Sequence, residues 1–192
     1  MYVPTGLIFS IAFVVIGFMG KVPTYKVAPV FLIPILWAPY LIRRWLHLNP
    51  YHYLLYAIAL FLHDLGAFGF YQNGLPEKWR VLPILGISYD IYVHFFFAFA
   101  ASFIFYRALE HHLELRQWQT ALFTLMFIMG AGGIHEVIEY FSYLLLGEER
   151  GMLKPHTAYF LDTSRDLMNN FLGCIAALVI YRILRAVRRP LR

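Results

Sequence analysis

The chain has 192 residues, of which 60% are hydrophobic and only 14% charged, against about 25% charged in soluble domains. With a mean hydropathy of +0.61, this excludes a soluble globular domain and predicts one integral membrane domain over residues 1–192. The net charge of +5 does not signal nucleic-acid binding, because the basic residues flank apolar spans and form no stripe interleaved with stacking aromatics.

Six spans are expected, in an all-α polytopic membrane bundle. The first covers residues 2–20. It starts almost at Met1 without a basic leader, so it reads as a retained span rather than a cleavable signal. The second, 27–42, is short and carries Pro29, Pro34 and Pro39, which predict a kinked or re-entrant segment. His47 and His52 flank Asn49-Pro50 in the turn that follows. The third covers 53–71 and contains His63-Asp64. The fourth, 89–109, opens with Asp90 and His94 and is bounded by Glu110-His111-His112, read as a solvated interfacial loop. The fifth, 119–146, contains the small-residue patch Gly130-Ala131-Gly132-Gly133, which suits close helix packing, followed by His135, Glu136 and Glu139. A polar turn over 147–151 follows it. The sixth, 166–184, is preceded by Asp162-Thr163-Ser164-Arg165, where Asp162 or Thr163 suits a helix N-cap, and it ends in an arginine cluster. Cys174 is the single cysteine, so no internal disulfide forms.

Nine basic residues (Arg43, Arg44, Arg107, Arg116, Arg182, Arg185, Arg188, Arg189, Arg192) fall on the side of the termini, against seven on the other. The cluster at the chain's end tips this balance and places both termini in the cytoplasm. His63 and Asp64, near the middle of the third span, then converge with Asp90, His94, His135, Glu136, Glu139, Asp162, Asp166 and Asn170 at one depth, between midplane and outer face.

An ionisable side chain in the bilayer costs roughly 2.5–3.5 kcal/mol even on lenient scales. All four aspartates nevertheless lie in or beside apolar segments. Asp90 and His94 share a face at i, i+4, as do His135 and Glu139; Glu136 and Glu139 share one at i, i+3. His63 and Asp64 diverge by about 100°, so one of them is expected to face inward. Oxygen and imidazole groups from several helices suit a divalent metal of unspecified identity, with Asp90, His94, Glu136, Glu139 and Asp166 as the ligand set. Of these, Glu136, Glu139, Asp90 and Asp166 are the catalytic candidates. His63, Asp64, His135, Asp162, Arg165 and Asn170 are expected around them as substrate contacts or supports. Read singly, Asp90, Asp162 and Asp166 are ordinary helix-start acids and His94 an ordinary core histidine. Glu136, Glu139 and Asp64 resist that reading because they lie deep in apolar spans.

Tyr89-Asp90 with His94, then Glu136-x-x-Glu139, then Asp162-x-x-x-Asp166-x-x-x-Asn170-x-x-Gly173, resembles the YjdF-like family of predicted bacterial inner-membrane proteins and, more distantly, VanZ-like membrane proteins. The resemblance covers about residues 88–175. It departs from the VanZ-like pattern at Glu139, where an amide is expected. It implies a multi-spanning bundle in a bacterial cytoplasmic (inner) membrane and hints at the cell envelope. The expected function is an intramembrane metal- or carboxylate-dependent enzyme, a hydrolase or transferase acting on a lipid or lipid-linked envelope substrate near the outer face. A proton- or cation-coupled transporter is the alternative, and a small accessory subunit a third. Membrane lipids are the expected partners, and an oligomer is compatible with the sequence.

Overall fold

The computed structural model describes residues 1–19, 28–65, 89–146 and 159–188. Six helices account for nearly all of these residues: α1 (Tyr2–Met19), α2 (Ala28–Leu41), α3 (Pro50–Leu65), α4 (Tyr89–His112), α5 (Gln117–Leu146) and α6 (Tyr159–Arg188). The polarity of the bundle is that of a membrane protein. Large apolar side chains point outward, with Phe18 85%, Leu145 81% and Val187 78% exposed, while Asp64 and Asp166 are 0% and 2% exposed. Helices α1, α4, α5 and α6 contain stretches long and apolar enough to cross a bilayer. The 14 residues of α2 reach only about 21 Å, less than the roughly 30 Å hydrocarbon core.

The helix ends correct two expectations and leave a third outside the described residues. The last helix starts at Tyr159, not near 166, so Asp162 and Thr163 lie within its first turns rather than capping it. Helix α4 continues through Glu110-His111-His112, which is therefore helix and not loop. In the third span, residues 66–71 lie outside the described residues, as do Lys21, Lys26, Lys78, Arg80, Arg150, Lys154 and the turn at 147–151.

Helix α2 runs unbroken through Pro34 and Pro39. A proline has no N–H to offer the carbonyl four residues earlier, so Pro39 leaves the Ile35 carbonyl without its helical donor. The Tyr56 hydroxyl of α3 supplies the replacement, donating to Ile35 O at 3.2 Å. Helix α2 returns antiparallel to α1, with Trp37 over Gly6 and donating to Ser10 Oγ at 3.0 Å. At its far end the Tyr2 hydroxyl donates to Leu48 O at 2.5 Å, so the α2–α3 turn lies beside the chain's start. Asn49 Oδ1 then accepts from His52 N at 3.0 Å and caps α3.

Helix α4 is the hub. It packs most extensively on α6 and also on α5 and α3, and the last of these contacts joins the α1–α3 group to the α4–α6 group. The α4–α6 crossing is set by Gly173, where an added Cβ would run into the Phe95 backbone carbonyl. At the end carrying the termini, Trp45 stacks on His112 with ring centres 4.5 Å apart. There Glu110 accepts from Tyr181 Oη at 2.6 Å and Arg107 Nη1 at 3.3 Å, and it pairs with Arg185. The expectation of a solvated Glu110 therefore gives way to a clamp between α4 and α6.

Two substitutions test this framework by thermal unfolding in detergent. Tyr56→Phe leaves the Ile35 carbonyl without its donor and is expected to cost about 1–3 kcal/mol. Gly173→Ala forces α4 from α6 and is expected to cost more, whereas Gly130→Ala, with nothing within 4 Å of an added Cβ, is expected to be tolerated.

Candidate functional site

The end of the bundle away from the termini gathers the polar residues. Asp90 lies in the first turn of α4 and His94 one turn further in. Asp166 is two turns into α6 and faces them. His94 Nε2 stands 3.8 Å from Asp90 Oδ1 and 3.7 Å from Asp166 Oδ2. These are longer than hydrogen bonds. The three ligand-type atoms of Asp90, His94 and Asp166 lie within 4.8 Å of one another.

Arg165 faces the opposite oxygens of the same two carboxylates. Its Nη2 is 3.4 Å from Asp90 Oδ2, and its Nε is 3.7 Å from Asp166 Oδ1. Each aspartate thus turns one oxygen to the arginine and the other to the histidine. Asn169 donates from Nδ2 to the Arg165 carbonyl at 2.8 Å, and Asn170 is a hydrogen-bond partner of His94.

Helix α5 supplies the neighbouring wall. His135 Nε2 lies 3.3 Å from Glu139 Oε1, and its ring centre is 5.6 Å from that of His94. Glu136 turns to α6, where the Thr163 hydroxyl donates to its Oε2 at 3.0 Å. Helix α3 closes the site. The His63 ring lies 6.1 Å from that of His135, and Asp64 is fully buried. Both members of the adjacent pair therefore serve the interior, against the expectation that one would. Among the described residues, His63 Nδ1, Glu136 Oε1 and both Asp64 oxygens are buried without a hydrogen-bond partner. Buried polar groups left in this way cost about 1–3 kcal/mol each, which marks the cluster as one built for something other than packing.

The residues expected from sequence thus meet, but not as a single ligand set. Asp90, His94 and Asp166 form the compact triad, while Glu139 pairs with His135 and Glu136 with Thr163. Asp162 lies in the first turn of α6, and its side chain is outside the described set. Two contributors were not assigned to the site from the sequence. Thr163 read as a cap, yet it stands three residues before Asp166 on the same helical face. Tyr89 donates its hydroxyl to the Leu62 carbonyl and ties the start of α4 to α3. The glycine patch divides. Gly132 is pressed against Asn170, with an added Cβ 2.5 Å from its Nδ2, while Gly133 has open space.

The family described as "Predicted membrane protein (DUF2238)" matches residues 3–186, nearly the whole chain, and the chain belongs to it. This is consistent with the YjdF-like resemblance, which rested on half the chain. No curated protein and no solved structure matches.

Gly132→Ala is expected to push Asn170 off His94 and to cost about 1–3 kcal/mol of stability. In an Asn170→Ala background the same substitution is expected to cost much less. Equal penalties in the two backgrounds, measured by thermal unfolding, would show that Gly132 does not act through Asn170.

Proposed function

We propose that this protein is an intramembrane metal-dependent hydrolase or transferase acting on a lipid or lipid-linked envelope substrate. The observation that carries this is the arrangement of Asp90, His94 and Asp166. Two donors each about 2.0–2.2 Å from one ion stand no more than about 4.4 Å apart, and the His94–aspartate separations of 3.7 and 3.8 Å fit that. Two carboxylates and one imidazole suit Mn, Zn or Fe better than a purely oxygen site would. Arg165 suits the role of a support, since it holds the far oxygens of both aspartates and so orients the near ones.

When bound, a divalent cation in this triad would polarise a substrate oxygen and make a coordinated water more acidic. The chain's own residues suit the remaining tasks. His135, oriented by Glu139, is placed to take a proton from an attacking water or hydroxyl. Glu136, with one oxygen engaged by Thr163, is placed to return one to a leaving group. Arg165 carries a positive charge to the mouth, where an anionic group would meet it.

Depth supports a lipid-linked substrate. Asp90 and Glu110 are twenty residues apart on α4, about 30 Å, which is the thickness of the hydrocarbon core. This length favours a triad about one turn below one membrane boundary, within reach of a headgroup. With the termini in the cytoplasm of a bacterial inner membrane, as the terminal arginines favour, that boundary is the outer one. Beneath the site the bundle is closed by Ala98, Ile128 and Cys174. The buried hydroxyls nearby, Ser102 and Thr124, donate to carbonyls of their own helices at 2.7 Å. This closed interior favours an enzyme over a proton-coupled transporter.

Elemental analysis of the detergent-purified protein is expected to find one divalent metal per chain. It should vanish in His94→Ala and Asp166→Asn, weaken about 10–100-fold in Arg165→Gln, and persist in Glu114→Gln at the opposite end. Glu136→Gln and Glu139→Gln are expected to retain metal, insertion and extraction but lose turnover of lipid-linked substrates. Metal-free protein that carries proton flux in liposomes would overturn the enzyme reading in favour of transport.

A further inference from the structure

A second feature lies at the end of the bundle that carries the termini, a membrane thickness from the triad. The α2–α3 turn presents Arg43, Arg44 and His47 there. With Tyr2 and Leu48 they line a shallow, open cavity of about 500 Å³, which suits a group held at the surface. Among the described residues, no carboxylate lines it. His111 and His112 at the end of α4 stand beside His47, with ring centres 3.2 and 5.7 Å from it, and Arg107 adds to the positive field. The acid embedded at this end, Glu110, has both oxygens engaged by Arg107, Tyr181 and Arg185. Among the described residues of this face, cationic and imidazole groups outnumber the acids positioned to balance them.

The cavity is also preorganised. Arg43 donates from Nη1 to the Tyr40 carbonyl at 2.8 Å, and its guanidinium lies 4.0 Å from the Tyr40 ring centre and 5.8 Å from that of Tyr2. An arginine held in this way loses little side-chain freedom on binding an anion. His47 takes a left-handed backbone conformation, φ 51°, uncommon for a residue with a side chain. Tyr2 and Trp45 place aromatic rings at the level where headgroups meet hydrocarbon.

We propose that the cavity formed by Tyr2, Arg43, Arg44, His47 and Leu48 is a binding site for an anionic phosphate group. Two sources share this chemistry: the headgroup of an anionic phospholipid in the adjoining leaflet, and a soluble phosphate compound. A fork of guanidinium donors matches phosphate oxygens in either. The site is independent of the metal triad and stands whether or not that reading holds.

The test is native mass spectrometry of the full chain in detergent. Phosphatidylglycerol and phosphatidylcholine are titrated separately, and inorganic phosphate is then added as competitor. The expected result is one saturable phosphatidylglycerol, no equivalent phosphatidylcholine, and a loss of affinity of about tenfold or more in Arg43→Gln/Arg44→Gln. Arg182→Gln, at the same end but outside the cavity, is expected to change affinity little. Arg44→Gln alone, at an exposed position, and Arg43→Lys, which keeps the charge but not the fork, guard against loss of fold. Displacement of the lipid by millimolar phosphate would identify a soluble phosphate as ligand and support the site equally. If Arg182→Gln weakens binding as much as the cavity variants, or if these retain full affinity, the end attracts anions by net charge alone and the proposal fails.

Discussion

The close approach of α4 and α6 governs this molecule. Gly173 lies against the Phe95 backbone, where even a methyl group would collide. Phe95 follows His94 directly, and Gly173 is two turns beyond Asp166. Contact at this point therefore brings the Asp90–His94 face of one helix onto the Arg165–Asp166 face of the other. The seam continues through small buried residues, Ala98, Ser102, Cys174 and Ala177, toward the opposite end. There it brings Glu110 to Tyr181 and Arg185. One tight backbone contact thus positions two polar clusters a membrane thickness apart.

Lipid makes this arrangement demanding. With no water to receive a polar group, each buried carboxylate must meet a donor, a cation or a ligand. Glu110 meets three donors. Asp90 and Asp166 share Arg165, and Glu139 has His135. Asp64, His63 and one oxygen of Glu136 lack such a hydrogen bond among the described residues. Most of the unmet polar capacity among these residues lies on α3 and α5 around the triad. Elsewhere in the core, Ser102, Thr120 and Thr124 are satisfied within their own helices, while the buried Tyr53 hydroxyl in the α1–α3 group has no hydrogen-bond partner among the described residues. The grouping of several such atoms at one place, against this single hydroxyl elsewhere, is what gives the site weight.

The helices and the shared depth of the polar residues were legible in the sequence, because hydropathy fixes spans and spans fix depth. Partner choice was not. Spacing put Glu136 and Glu139 on one face, but it could not show that Glu139 would take His135 from its own helix or that Glu136 would take Thr163 from another. Thr163 was hidden because a hydroxyl before an apolar run looks like a cap; the helix in fact begins earlier, and the residue falls on an inward face. Helix α2 shows a related limit. Its prolines predict a kinked or re-entrant segment when read locally, but they do not reveal that Tyr56, distant in sequence, supplies the donor that Pro39 withholds. Glu110 read as solvated because nothing nearby in sequence reveals Tyr181 and Arg185.

The Glu110 clamp bears on the triad although it touches none of it. An α-helix turns by about 100° per residue, so a small rotation or slide of α6 against α4 would swing Asp166 away from His94. Gly173 permits close approach but does not by itself fix rotation, since glycine offers no side chain to interlock. Rotation and register need a second point of attachment far along the same seam. Glu110, gripped by two residues of α6 four apart, Tyr181 and Arg185, supplies it, because residues at that spacing share one helical face. With α4 and α6 pinned at both ends, the 3.7 Å and 3.8 Å separations around His94 are held by the whole length of the bundle. Such rigid support is what a site needs to keep its geometry while the surrounding lipid moves.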